Sequence, residues 1–198
     1  SKTFPKYKFQ FHALNFARQE LLFEDACIEV FSFPMKHSIE VCGFLVKEKS
    51  KQRKINRKAI DAFEVPVYFL NSLKEGVDFR QEDGTLIENS RLTLEPNPSL
   101  SYAYCSDTVY YPDLVESITG VDLLYHEATF TKDLDKLAKR TQHSTAEQAA
   151  LIAKQASVKQ LLIGHYSARY TNLNVLLDEA KEVFENTILA EDGLKITL

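Results

Sequence analysis

Long apolar runs are missing from this chain: nowhere do about 18 uninterrupted apolar residues occur, the length a membrane-spanning helix needs. Residues 1–15 lack the basic-then-apolar pattern of an export signal, so the expectation is a protein that is neither membrane-inserted nor exported. Cysteine is sparse and odd in number. Cys27, Cys42 and Cys105 fall in apolar strand-like runs with no Cys-x-x-Cys pair, which excludes a disulfide framework or a thiolate zinc site and reads as reduced core thiols in a cytoplasmic protein. There is no internal repeat and no low-complexity stretch. A basic excess is also lacking: the formal net charge is −4, which excludes a protein that simply coats nucleic acid.

That average hides segregation. Lys47, Lys49, Lys51, Arg53, Lys54, Arg57 and Lys58 are opposed within their segment only by Glu48. Two readings fit: a solvated loop, or a phosphate-contacting patch in which Lys51, Arg53 and Lys54 help position an RNA backbone.

With 198 residues and 44% hydrophobic content, the chain has the material for one domain core, so residues 1–198 read as a single domain. Alternating apolar and polar residues predict strands over 7–14, 27–33 and 39–47, an antiparallel sheet. Over 56–76 the apolar period becomes helical and is broken at Pro66, predicting two short helices. A turn at Asp83-Gly84 and the polar residues 95–99 follow. From residue 100 onward strands and helices alternate: strands at 102–106, 121–126, 160–163 and 188–190, helices at 112–119, 132–139, 145–156 and 173–184. This is α/β layering. Pro112 suits a first helical turn, and Ser144-Thr145-Ala146-Glu147 reads as a capping box. A meander, a helical insert over 47–100 and then β-α-β-α fit half of a four-layer αββα sandwich better than a complete doubly wound sheet.

His37, His126, His143 and His165 fall at strand ends or just before a helix, where α/β proteins build sites. His37, Asp107 and His165, brought together from separate strand ends, would make an N/O donor set of the kind zinc occupies; by spacing alone they are equally hydrogen-bonded structural residues.

The words around them narrow the choice. Lys36-His37-Ser38-Ile39-Glu40-Val41-Cys42-Gly43-Phe44, Tyr104-Cys105-Ser106-Asp107-Thr108, His126-Glu127-Ala128-Thr129-Phe130, His143-Ser144-Thr145-Ala146-Glu147-Gln148-Ala149-Ala150 and Gly164-His165-Tyr166-Ser167-Ala168-Arg169-Tyr170 occur in that order. Together they resemble the ribonuclease Z branch of the metallo-β-lactamase superfamily, zinc-dependent endonucleases that process tRNA 3′ ends. Leu73-Lys74-Glu75-Gly76 and Glu82-Asp83-Gly84 extend the resemblance through the insert.

The resemblance implies that His37 and His165 bind two zincs and that Asp107 bridges them. Two metals about 3.5–4 Å apart would clamp a phosphodiester and generate hydroxide from a shared water. It implies that His143 donates a proton to the leaving oxygen, with Glu127 fixing its tautomer and favouring its charged form; the alternative for this pair is a purely structural contact. Ser167 and Arg169, beside His165, are candidates for phosphate contact. His126 reads as structural, and His12 has no assigned role. The resemblance further implies precursor tRNA as substrate and a homodimer in which one subunit's arm presents tRNA to the other.

Two features depart from the family. Its His-x-His-x-Asp-His word is absent, since the closest two histidines are 17 residues apart. Where its projecting arm carries a Gly-Pro pair, this chain has Val65-Pro66-Val67-Tyr68. The expectation is therefore a C-terminal two-thirds that alone binds one zinc or none and is inert. Two other readings remain: a metallo-hydrolase of small phosphodiesters, for which a basic insert would be needless, and a non-catalytic half.

Overall fold

The computed structural model describes residues 8–198, and the chain divides into two compact units: the residues up to Glu48 with Leu100–Leu198, and Lys49–Ser99.

In the first unit, β1 (Glu20–Glu24), β2 (Ile28–Pro34) and β3 (Cys42–Glu48) form an antiparallel meander. In the second, β4 (Lys54–Ile55) precedes α1 (Arg57–Ala62) and α2 (Leu70–Lys74), with a 3-10 turn at Val67–Phe69 after Pro66. The hairpin β5 (Phe79–Arg80) and β6 (Leu86–Ile87) turns at Gly84, whose φ of +88° suits a residue without Cβ. After α3 (Asn89–Leu92), β7 (Thr93–Leu94) returns to pair with β4. Ile60, Val65, Leu73, Phe79, Ile87 and Leu92 give this unit its own small core.

The chain re-enters the first unit with β8 (Ser101–Cys105), followed by α4 (Val115–Ile118), β9 (Leu123–Glu127), α5 (Asp135–Thr141), α6 (Ala146–Gln155), β10 (Gln160–Gly164), α7 (Asn174–Lys181) and β11 (Thr187–Leu189). Among the described residues, seven strands make one mixed sheet in the order β1-β2-β3-β8-β9-β10-β11. It is antiparallel through β8 and parallel from β8 to β11, which matches the expected change from meander to α/β layering. Leu45, Ala103, Cys105, Leu124, Leu161 and Ile163 bury one sheet face under α4, α6 and α7. Small side chains on α6, Ala146, Ala149, Ala150 and Ala153, let it lie close to the strands. On the other face Phe44, Tyr102, Tyr125 and Leu162 are only partly buried and Tyr104 is exposed, so the described residues supply one sheet layer and one helix layer, half of a sandwich.

Gly43 on β3 exists for packing. A Cβ there would fall 2.3 Å from two ring atoms of the fully buried Phe33 and 3.0 Å from the Tyr104 carbonyl. Gly43→Ala is expected to lower stability by about 2–3 kcal/mol through overpacking, read as a lower urea midpoint at unchanged slope. An unshifted midpoint would mean that the Phe33 ring has room to move.

Three expectations need correction. No strand forms over residues 8–14, where Phe9 and Phe11 are exposed and no strand among the described residues pairs with the segment; Tyr7 lies outside the described residues. Alternation alone does not make a strand without a partner. Of the three thiols, all free, only Cys105 is buried; Cys27 is exposed in a turn held by Asp25 Oδ1, which accepts from the amides of Cys27 and Ile28. The cap of α6 is Thr145 with Gln148, one residue later than expected, because the amide of Ser144 is already committed to Glu127.

Candidate metal and proton-transfer site

Four chain segments meet beyond the carboxyl ends of β8, β9 and β10, where open α/β sheets place their sites. Asp107 follows β8, Glu127 ends β9, His143 lies between α5 and α6, and His165 follows β10. One ligand atom from each of these four falls within 4.8 Å of the others. His37, on the β2–β3 connection, is outside that group but its ring centroid is 5.1 Å from that of His143, which in turn is 5.1 Å from His165. The connection is fixed to the Asp107 loop by Val109 N–H donating to Lys36 O at 2.9 Å.

Glu127 is the hub. Its side chain is fully buried, and every partner is a donor. Oε1 accepts from Thr108 N at 2.7 Å and His143 Nδ1 at 2.9 Å; Oε2 accepts from Thr129 Oγ1 at 2.5 Å and Ser144 N at 3.2 Å. A carboxylate so saturated has little left to offer a metal, although it is close enough to be counted among possible ligands. Exposure supports the distinction: 0% for the Glu127 side chain, 19% for His143, 42% for His165 and 46% for Asp107.

The histidine protons can be assigned from their partners. A carbonyl or carboxylate only accepts, so Nδ1–H is the donor in His37, to Gln142 O at 2.8 Å, and in His143, to Glu127. Their Nε2 atoms have no hydrogen-bond partner among the described residues. His165 Nε2 lies 3.1 Å from Asp107 Oδ1. That separation is close to the roughly 3.3 Å between two ligands of a tetrahedral zinc with bonds of about 2.0 Å, so the donor set fits a divalent ion. His126, read as structural, is buried within β9; its Nδ1–H donates to Glu127 O at 2.7 Å, its Nε2 has no partner among the described residues, and burial pushes its pKa down.

Both Asp107 and His165 have left-handed backbones, φ +42° and +59°, as does Gln142 at +59°, whose carbonyl holds His37. Gly164 precedes His165 because a Cβ there would lie 2.4 Å from Tyr125 Oη. Beyond it, Tyr166 Oη donates to Ile163 O and accepts from Ala190 N, anchoring the loop.

Residues 59–166 match the family model described as a β-lactamase superfamily domain. The chain belongs to the metallo-β-lactamase superfamily. Among its relatives in this superfamily are proteins named Ribonuclease Z from Bacteroides thetaiotaomicron, 47% identical over 97% of this chain and 61% of that protein, and from Phocaeicola vulgatus, 46% identical over 97% and 62%. The chain thus spans about three fifths of the length of the curated relatives it matches. Its fold resembles that of the metallo-β-lactamase fold protein YhfI from Bacillus subtilis, with TM-score 0.57 and 18% identity over 88% of this chain and 51% of that one. It also resembles human tRNase Z, short form, with TM-score 0.54 and 23% identity over 91% and 47%.

The other residues singled out in the sequence already have partners within the chain, although Lys51, Lys54 and Arg169 are exposed. Arg169 donates to Ser167 Oγ at 3.0 Å and lies over the Phe130 ring at 5.1 Å. Within Lys49–Ser99, Arg53 pairs with Glu95 and donates to Thr93 Oγ1, Lys54 Nζ donates to Asn97 Oδ1, and Lys51 Nζ donates to Pro98 O. Sequence reasoning missed Thr129, which touches both Glu127 and His165. A threonine two residues past a strand end carries no signal of its own.

Proposed function

We propose that this chain is the part of a zinc-dependent tRNA 3′-processing endonuclease that supplies the proton-donating histidine and half of the metal ligands. The observation that carries the reading is the pairing of two differently wired imidazoles. His165 Nε2 faces a carboxylate as a ligand would, whereas His143 is backed by the buried Glu127 and keeps a free Nε2 beside it. The likeness to proteins named Ribonuclease Z supports the substrate class.

Asp107, His165 and His37 hold the metal, two zincs in the longer protein and one or none in this chain. When bound, zinc supplies Lewis-acid polarisation of the phosphodiester and acidifies water. His143 holds a proton at Nε2 for the leaving oxygen, its ring kept in place by Glu127. Ser167 and Arg169 contact the phosphate, and Lys51, Arg53 and Lys54 the RNA backbone, after exchanging their internal partners for phosphate oxygens. The protein works in the cytoplasm as a homodimer on precursor tRNA. Among the described residues no helix is long and apolar enough to cross a membrane.

The test is elemental analysis of zinc in this chain and in a version extended upstream, together with cleavage of a 3′-extended tRNA precursor. Two zincs and cleavage in the extended protein only are expected. Absence of both in either form would leave the non-catalytic half as the better reading.

A further inference from the structure

We infer that Thr129 is a positioning residue that sets the tautomer of His165, leaving Nε2 as an unprotonated donor facing Asp107. A hydroxyl has one proton to give and lone pairs to receive. Three atoms lie within reach of Thr129 Oγ1: Glu127 Oε2 at 2.5 Å, His165 Nδ1 at 2.9 Å and His165 O at 3.0 Å. The carboxylate oxygen is the closest, is fully buried and can only accept, so the charge-assisted bond takes the proton. Oγ1 can then only accept from His165, which requires the ring proton to be on Nδ1.

The consequence falls on the far side of the ring. Nε2 of the neutral imidazole and Asp107 Oδ1, 3.1 Å apart, are then two acceptors facing one another, an arrangement that a cation relieves. One buried carboxylate thus governs both imidazoles, His143 directly and His165 through a hydroxyl relay. The backbone of Thr129 is held independently of its side chain: its N–H donates to Ser144 O at 3.1 Å, and its carbonyl accepts from Ser167 N at 3.1 Å. Removing the hydroxyl therefore leaves the chain path supported.

Without that hydroxyl, Nδ1 has no protein acceptor in reach among the described residues, since Glu127 Oε2 is 3.9 Å away. The other tautomer, Nε2–H donating to Asp107 Oδ1, becomes the better one. Such a ring is occupied by its own neighbour and is a poorer metal ligand. The significance of the relay for metal binding rests on the proposed ligand role of His165; the proton assignment does not.

The experiment is nitrogen-detected NMR of the imidazoles in the metal-free chain at mildly alkaline pH, with zinc competition titrations, on the unmodified chain, Thr129→Val and Thr129→Ser. The unmodified and serine proteins are expected to show His165 protonated at Nδ1; the valine protein is expected to show it at Nε2 and to bind zinc roughly 10–100-fold more weakly. An Nε2–H tautomer in the unmodified chain, or a valine protein with unchanged tautomer, overturns the inference. Should the valine protein fail to fold, the spectra of the other two still decide the assignment. An upstream-extended protein that binds no zinc and cuts no tRNA would overturn the proposed function and leave the tautomer result standing.

Discussion

Replacing Glu127 by glutamine is expected to lower the thermal unfolding midpoint by roughly 5–15 °C, although the change is isosteric. The reason is a shortage of acceptors. Each carboxylate oxygen serves two donors, so an amide NH2 must face two of them whichever way it is turned. Facing Thr129 and Ser144, it finds a hydroxyl that can reverse and an amide N–H that cannot. Facing Thr108 and His143, it finds an imidazole that can change tautomer and, again, an amide N–H that cannot. Either way a buried backbone donor is orphaned and the charge-assisted bonds are lost, at about 2–4 kcal/mol. For a chain of this length about 2–4 °C accompanies each kcal/mol. Melting followed by far-ultraviolet circular dichroism tests it, and an unchanged midpoint would mean that the carboxyl is already protonated and acts as a donor itself.

Replacing His143 by asparagine in the longer protein is expected to reduce kcat for precursor cleavage by roughly 10²–10⁴-fold, the usual contribution of a positioned proton donor, while bound zinc stays the same. The measurement pairs single-turnover cleavage with elemental analysis. The pairing matters because one ligand atom of His143 lies within 4.8 Å of those of Asp107 and His165, close enough for the ring to serve as a ligand instead. Loss of zinc along with activity would assign it that role. Retention of both would remove His143 from the chemistry.

The parts of the fold that could be read in the sequence are those whose signals are local. The helix expected over 145–156 is found as Ala146–Gln155 because its apolar face and its cap are both encoded within a few residues. The strands at 102–106 and 160–163 are found as Ser101–Cys105 and Gln160–Gly164, short apolar runs between helices. What was not legible depends on distant partners. β1 carries Leu21, Leu22 and Phe23 in succession, all exposed, with a register shift between Leu21 and Phe23, so no period of two marks it; only pairing with β2 makes it a strand. The Glu127–His143 contact followed from motif order. The relay through Thr129 did not, because it is defined by which of three acceptors takes a single proton. Nor did the backbone of Asp107 and His165, where no glycine announces a left-handed turn.

Those two residues, with Gln142, are three of the five non-glycine residues with positive φ among the described residues. Such conformations cost of order 1 kcal/mol or more each and last only where the surroundings enforce them. Here the enforcement comes from the hydrogen bonds of Thr108, Ser144 and Tyr166 and of the Thr129 backbone, all of them between groups of the chain itself. On the proposed metal role of these residues, the entropy of arranging the ligands is met during folding, and an arriving ion has few loops left to order. Its affinity is then decided by donor chemistry and charge, as in a rigid chelator, and not by the flexibility of the chain that carries it.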